Sequence, residues 1–244
     1  MSSTTNVPAV LLVGGMGTRL RTVVPSTPKP MAAVGAKPFL ELLVRQLRSQ
    51  GIDRLIMCSG YLADQIEDKF GHGGEWGVTI EYSRELRSMG TAGAIKLAQD
   101  YLSDDSSFLV MNGDSFVDVE FEQLMRTHLQ HNALATMTIV PVQNAGRYGT
   151  VRTNSAERVT GFAEKTNADM PGLINAGVYV FDRSIFDHIS EGNSSLERDV
   201  FPRIVDRGLY AIEHTGMFID IGTPDDYARA QSLCEQLSDA ATRG

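Results

Sequence analysis

Apolar residues in the first half of the chain fall into short unbroken runs, separated by stretches of helical periodicity. Val10-Leu11-Leu12-Val13 is one such run, closed by Gly14-Gly15. Apolar residues at every position predict a strand buried on both faces, as in a parallel sheet. A Gly- and Pro-rich loop follows from Gly14 to Pro30. Phe39, Leu40, Leu43, Val44 and Leu47 then recur on one face of a helix that Gly51 stops. Leu55 to Cys58 predicts the next strand, Ala63 to Phe70 a helix, and Val78 to Tyr82 an alternating strand. Phe108 to Met111 predicts a further buried strand that ends at Asn112-Gly113-Asp114. Strands alternating with helices imply a parallel sheet with right-handed crossovers.

The second half reads differently. Thr136 to Val140 predicts one more strand. Tyr148 to Arg152, Arg158 to Glu164 and Ile174 to Phe181 are β-rich with turn residues between them, which predicts antiparallel pairing. Arg183 to Ile189 and Glu197 to Arg207 carry helical patterns, and Phe218-Ile219-Asp220 is a short strand. Thr223-Pro224-Asp225 opens a last helix, with Thr as cap, Pro in the first turn and acids near the positive end. The expected fold is one α/β domain over residues 1–244: a mixed, mainly parallel sheet flanked by helices, with a β-rich second half.

Composition narrows the function classes. With 42% hydrophobic and 21% charged residues the chain is ordinary globular material. Its net charge of -8 disfavours a nucleic acid partner. Cys58 and Cys234 match no metal spacing or disulfide framework and read as free thiols. The polar start lacks a basic n-region, and the apolar run after it is too short for a signal or membrane span. A cytoplasmic protein without membrane contact is expected, with a homodimer as the default assembly.

Six motifs could carry chemistry. Gly14-Gly15-Met16-Gly17-Thr18-Arg19-Leu20 follows a strand; its glycines admit close approach of backbone N–H groups to phosphates, and Arg19 adds a multi-donor cation. Leu20 stands where a dinucleotide fingerprint needs glycine, and no G-x-x-x-x-G-K-[ST] occurs. Lys29 is held between Pro28 and Pro30. Asp114 and Asp220 each end an apolar strand, the edge where ligands of open α/β sheets bind, and two converging carboxylates suit Mg²⁺. Gly90-Thr91 would let a base or ribose lie against the backbone, with Thr91 capping a helix. Tyr148-Gly149, Glu164-Lys165 and Asn175-Ala176-Gly177 place polar groups at strand ends. Taken singly, each motif also fits a structural role as a turn, a cap or a solvated lysine.

In order along the chain, G-G-M-G-T-R-L, P-K-P-M, G-T-A-G-A, G-D-S, Y-G, E-K, N-A-G-V-Y and D-I-G-T-P-D-D-Y resemble the sugar-phosphate nucleotidyltransferase family. Arg21-Thr22-Val23-Val24 and Ser195-Leu196-Glu197-Arg198-Asp199 most resemble its branch that makes GDP-D-glycero-α-D-manno-heptose. The resemblance implies a Rossmann-like core with a nucleotide half over about 7–133 and a sugar-phosphate half over about 134–238. It implies that Leu12, Gly14, Gly15, Gly17, Thr18, Arg19, Gly90 and Thr91 hold the nucleotide, and that Gly149, Glu164, Lys165 and Asn175 hold the sugar 1-phosphate. Arg19, Lys29, Asp114 and Asp220 would be catalytic, with Mg²⁺ on Asp114 and Asp220. The expected reaction joins GTP to a heptose 1-phosphate and releases pyrophosphate. Alternatives are uridylyl or thymidylyl transfer to a hexose 1-phosphate, and a silent nucleotide-sugar sensor. Arg21-Thr22-Val23 and Ala92 depart from the common family pattern near the nucleotide.

Overall fold

The apolar run around Val10 becomes an interior strand of a seven-stranded sheet. The computed structural model describes residues 7–146, 148–163 and 170–243. The chain begins with β1 (Ala9–Leu12), the short strands β2 (Ala33–Val34) and β3 (Lys37–Pro38), α1 (Phe39–Ser49), β4 (Arg54–Ser59) and α2 (Ala63–Phe70). It continues through β5 (Thr79–Arg84), α3 (Gly90–Leu97), β6 (Ser107–Asn112), β7 (Ser115–Val117), α4 (Phe121–Gln130) and β8 (Ala135–Val142). Next come β9 (Thr150–Thr153), β10 (Val159–Ala163), β11 (Gly172–Asp182), α5 (Phe201–Ile204) and β12 (Leu209–Glu213). The last elements are β13 (Phe218–Asp220), α6 (Pro224–Ser232) and α7 (Cys234–Ala240).

The sheet order is β12-β8-β11-β6-β1-β4-β5. All neighbours run parallel except β11, which is antiparallel to both β6 and β8. Strand alternation divides the core. Leu11, Met57, Leu109, Met111 and Val180 face one layer, where Phe39, Leu43 and Leu47 of α1 pack with Phe121 and Leu124 of α4. Val10, Ile56, Phe108, Val110 and Tyr179 face the other, against Ala94 and Ile95 of α3 and Phe201 and Ile204 of α5. Each fully buried large side chain contributes about 1.5–3 kcal/mol, so both faces of the sheet are fixed by packing rather than by local propensity.

Several expected elements change form. The helix expected over Glu197 to Arg207 is a wide turn at Leu196–Val200, then α5, then a tight turn at Val205–Arg207. Pro202 has no N–H to extend an i→i−4 ladder through this stretch. Arg183–His188 is a 3₁₀ helix, nucleated by the Asp182 side chain accepting from Ser184 N–H. The last helix breaks at Leu233 into α6 and α7, while Thr223 does cap α6 by accepting from Asp226 N–H. β7, α4 and β12 were not anticipated. The β9–β10 pair is antiparallel as expected.

At the C-terminal end of β1 the chain order reverses: β4 lies on one side and β6 on the other. This is a topological switch point, where the loops part and leave a crevice.

Candidate active site

The Gly-rich loop leaves β1 at that crevice. Its base is pinned by Gly113 N–H donating to Leu12 C=O at 3.0 Å and Tyr61 N–H donating to Gly14 C=O at 3.3 Å. Gly17 has φ of +56°, and a Cβ there would lie 2.8 Å from Lys29 Cβ, so the loop folds against the lysine only with glycine at this position. Gly15 faces open space. A recess of about 210 Å³ lies beneath, walled by Gly15, Gly17, Thr18 and Arg19 on one side and by Lys29, Asp114 and Gly222 on the other. Among the described residues Arg19 makes no ion pair and is exposed to this recess.

The two aspartates meet by strand register. β13 pairs antiparallel with β7, placing Asp220 opposite Ser115, and Ile221 N–H donates to Asp114 C=O at 3.0 Å. Lys29 sits in a 3₁₀ turn between its two prolines and puts Nζ 2.5 Å from Asp114 Oδ2. Gly222 N–H donates to Asp220 Oδ1. Burial raises the Asp220 carboxyl above its usual range, and the Asp114 charge raises it further; Lys29 and the Gly222 N–H pull it back. Two carboxylates thus lie in the field of one ammonium, which pairs with Asp114, an arrangement with room for more positive charge. Among the described residues no group of three or more His, Cys, Asp or Glu converges. A cation here would rely on two carboxylates and outside oxygens, which is the habit of Mg²⁺.

A second recess of about 230 Å³ shares Leu12, Gly15 and Asp114 with the first and continues past Glu85, Ser88, Gly90 and Asn112. Glu85 is half-buried and its Oε2 accepts from Met89 N–H at 2.8 Å. Its pKa is raised by burial, with the Met89 N–H acting the other way. A Cβ on Gly14 would lie 2.6 Å from Glu85 Oε1, which places that oxygen directly under the loop. Asn112 Oδ1 is buried without a hydrogen-bond partner among the described residues.

Gly90 and Thr91 both line this second recess, but Thr91 does not cap α3: the cap is Met89. The Thr91 hydroxyl instead accepts from Leu196 N–H at 2.8 Å and donates to Glu197 Oε2 at 3.2 Å. The open N–H groups of Ala92 and Gly93 are taken by Ser194 C=O, at 2.9 and 3.1 Å. The segment after Gly192 therefore occupies the helix end, which is unavailable to phosphate.

A third recess, about 620 Å³, lies between the β9–β10 pair and α5 and contains Gly149, Asn175, Phe162, Glu197 and Arg198. Asn175 Nδ2 donates to the buried Tyr179 hydroxyl at 2.7 Å, and its Oδ1 accepts from Gly177 N–H. Burial raises the Tyr179 phenol, with Glu197 the next cause and Asp114 a smaller one. Glu164 and Lys165 lie outside the described residues. Glu85, Asn112 and Glu197 were not singled out as site residues. Glu85 follows the end of a parallel strand, the same signal that found Asp114.

A glycine loop over a switch point, with paired carboxylates and a lysine beneath it, defines an α/β protein built to handle phosphates at its sheet edge. The chain belongs to the nucleotidyl transferase family, whose profile matches residues 8–236. It is 39% identical over 225 residues to the D-glycero-alpha-D-manno-heptose 1-phosphate guanylyltransferase of Aneurinibacillus thermoaerophilus, covering 91% of this chain and 96% of that one. It is 37% identical over 234 residues to the mannose-1-phosphate guanylyltransferase of Mycobacterium tuberculosis, covering 94% of this chain and 65% of that one. The chain thus spans somewhat less than two thirds of the mycobacterial relative's length. Among solved structures, HddC from Yersinia pseudotuberculosis complexed with GMP-PN superposes with a TM-score of 0.81 at 31% identity, covering 93% of this chain and 98% of that one. No helix among the described residues is long and apolar enough to cross a membrane.

Proposed function

We propose that the protein transfers GMP from GTP to a sugar 1-phosphate, a D-glycero-α-D-manno-heptose 1-phosphate in the first instance, giving a GDP-sugar and pyrophosphate. The reading rests on the meeting of Asp114, Asp220 and Lys29 under the Gly-rich loop. The similarity to guanylyltransferases and to a structure complexed with GMP-PN supports it.

The chemistry requires no general base. The second pKa of a phosphate monoester is about 6, so near neutral pH the sugar phosphate oxygen is already a nucleophile. It attacks the α-phosphorus of GTP; the bond to the bridging oxygen breaks, and pyrophosphate leaves with the electron pair. The barrier is repulsion between anions. Asp114 and Asp220 would hold Mg²⁺, which when bound supplies positive charge between the phosphates. Arg19 and the N–H groups of the Gly-rich loop bind the triphosphate, and Lys29 neutralises charge on the transferring group. The crevice aligns the two substrates.

Glu85 favours guanine. A carboxylate is an acceptor, and guanine offers two adjacent donors, N1–H and the 2-amino group. Uracil and thymine offer one donor between two carbonyls, which a carboxylate repels. In this reading the product feeds a surface polysaccharide or glycoprotein. The test is pyrophosphate release with Mg²⁺, crossing GTP, UTP, dTTP and ATP with heptose, mannose and glucose 1-phosphates. Turnover confined to GTP is expected, and Glu85→Gln should erode that preference. Release with UTP or dTTP in place of GTP would discard the guanylyl assignment.

A further inference from the structure

Arg21-Thr22-Val23-Val24 stands out in the sequence, yet none of the three recesses takes a wall from it. The segment follows the Gly-rich loop as one helical turn. Val23 and Val24 N–H both donate to Leu20 C=O at 3.0 Å, and Leu20 is buried in the core. The turn carries Arg21 back over the loop that precedes it. There Nε donates to Met16 C=O at 3.1 Å, and the guanidinium lies 4.4 Å over the Tyr61 ring. Tyr61 in turn donates its N–H to Gly14 C=O at 3.3 Å. Two carbonyls of the loop are thus held by one stacked pair of residues. In a trans peptide unit the C=O and the N–H that follows it point in opposite directions. Fixing Gly14 C=O therefore turns Gly15 N–H away from the pair, and fixing Met16 C=O does the same for Gly17 N–H. Both glycines wall the recess beneath the loop. Among the described residues neither N–H donates to another group of the protein.

We propose that Arg21 and Tyr61 are positioning residues for the triphosphate: together they turn the Gly15 and Gly17 N–H groups toward the recess before the nucleotide arrives. The inference rests on the nucleotide reading of the Gly-rich loop. Backbone N–H groups converging from a turn make a site for an anion. Glycine leaves each of these peptide units free to rotate, so a loop of glycines needs a tie from outside itself. Donors that are already oriented spare the ligand the cost of ordering them. An arginine suits this task, because its planar cation stacks on a ring while its N–H groups still donate. The two arginines of the segment then have separate work. Arg19 faces the recess without an ion pair among the described residues, and Arg21 holds the loop.

The experiment measures calorimetric binding of GTP with Mg²⁺, without sugar phosphate, to the whole protein. It compares wild type, Arg21→Ala, Tyr61→Leu, Tyr61→Phe and the double variant Arg21→Ala with Tyr61→Leu, and follows steady-state pyrophosphate release in the same set. A tie made of one hydrogen bond and one exposed cation–π contact predicts that Kd for GTP rises about three- to tenfold in Arg21→Ala and in Tyr61→Leu. Tyr61→Phe keeps the ring and the backbone N–H, and should restore Kd to within about twofold of wild type. The double variant should be within about twofold of the weaker single one, because the two residues act as a unit. KM for GTP should rise with Kd, while KM for the sugar 1-phosphate stays within about twofold. Wild-type affinity in Tyr61→Leu beside a loss in Arg21→Ala would mean that Arg21 touches the nucleotide itself, and would overturn the inference. Losses that multiply in the double variant, no rescue by Tyr61→Phe, or unchanged GTP binding throughout would overturn it equally. Each of these leaves the guanylyltransferase reading intact, whereas wild type that binds no GTP would overturn both.

Discussion

Replacing Lys29 with methionine separates what the lysine does for stability from what it does for catalysis. Methionine keeps the stem against which Gly17 packs and removes the charge. The Lys29 side chain is 11% exposed and that of Asp114 33%. Removing one partner of a fully buried pair costs about 3–5 kcal/mol; with Asp114 a third open to solvent, about 2 kcal/mol is the reasonable loss. In a domain of this size that lowers Tm by about 4–8 °C. Much of the loss comes from Asp114 and Asp220 facing each other without the ammonium, so Lys29→Met combined with Asp114→Asn should recover most of the Tm. It should recover none of the activity. Removal of one preorganised charge from the reacting centre costs about 100- to 1,000-fold in kcat, and the second substitution takes away a proposed Mg²⁺ ligand as well. Thermal unfolding by circular dichroism and pyrophosphate release read the two effects independently. If Lys29→Met keeps kcat/KM within about threefold of wild type, the lysine is only a counter-ion for Asp114, and its place in the chemistry is refuted.

Three further outcomes follow from the same structure. Asp220→Asn should abolish turnover while raising Tm at neutral pH. The folded pKa of this carboxyl lies above its unfolded value, so the ionised form destabilises the fold and stability is lost as pH rises through the folded pKa. A Tm at or below wild type would contradict this. His128, buried with Nδ1 3.1 Å from Thr136 Oγ1, has its pKa lowered to about 4 from 6.5, by burial first and against the pull of Asp182. Between those values the unfolded chain binds more protons, so stability falls as pH drops through that window, by on the order of 3 kcal/mol. His128→Asn should flatten the Tm–pH curve there; a slope equal to that of wild type would refute the assignment. Gly90→Ala, at φ of +70° and against Ser194 C=O, should cost at least about 2 kcal/mol and weaken GTP binding. Unchanged urea unfolding would show that the loop simply shifts.

The buried strands were legible because apolar runs bounded by glycine have few other uses. Ala63–Phe70 came out at its observed limits. What escaped has local causes. Phe121, Leu124 and Met125 of α4 hold helical spacing, but the fourth buried position is His128, a polar residue that interrupts the apolar stripe. β7 is three residues long and is defined only by its pairing with β13. β12 lies at the sheet edge, paired within the sheet to β8 alone. Thr91 carried a correct local signal for a cap, and tertiary structure overrode it: the chain after Gly192 reached the helix end first.

The aspartates show how far a positional rule reaches. An acid at the carboxyl end of a parallel strand marks the ligand edge of an α/β sheet, and that rule identified Asp114. It applies equally to Glu85, which follows β5 and donates its own N–H to Ser59 C=O on β4. The rule gives an address and not a role. Asp114 and Asp220 are brought together by the β7–β13 register, with Lys29 paired to Asp114 and its charge felt at Asp220, so they suit a cation. Glu85 meets the Met89 N–H and the underside of Gly14, with no second carboxylate hydrogen-bonded to it among the described residues, so it suits the donor edge of a base. Glu197 is clamped through one oxygen by the hydroxyls of Thr91 and Ser195. The carboxylates around these recesses are thus distinguished by their neighbours. Those neighbours come from other elements of the chain, which is why the residue types could be read in advance and their division of labour could not.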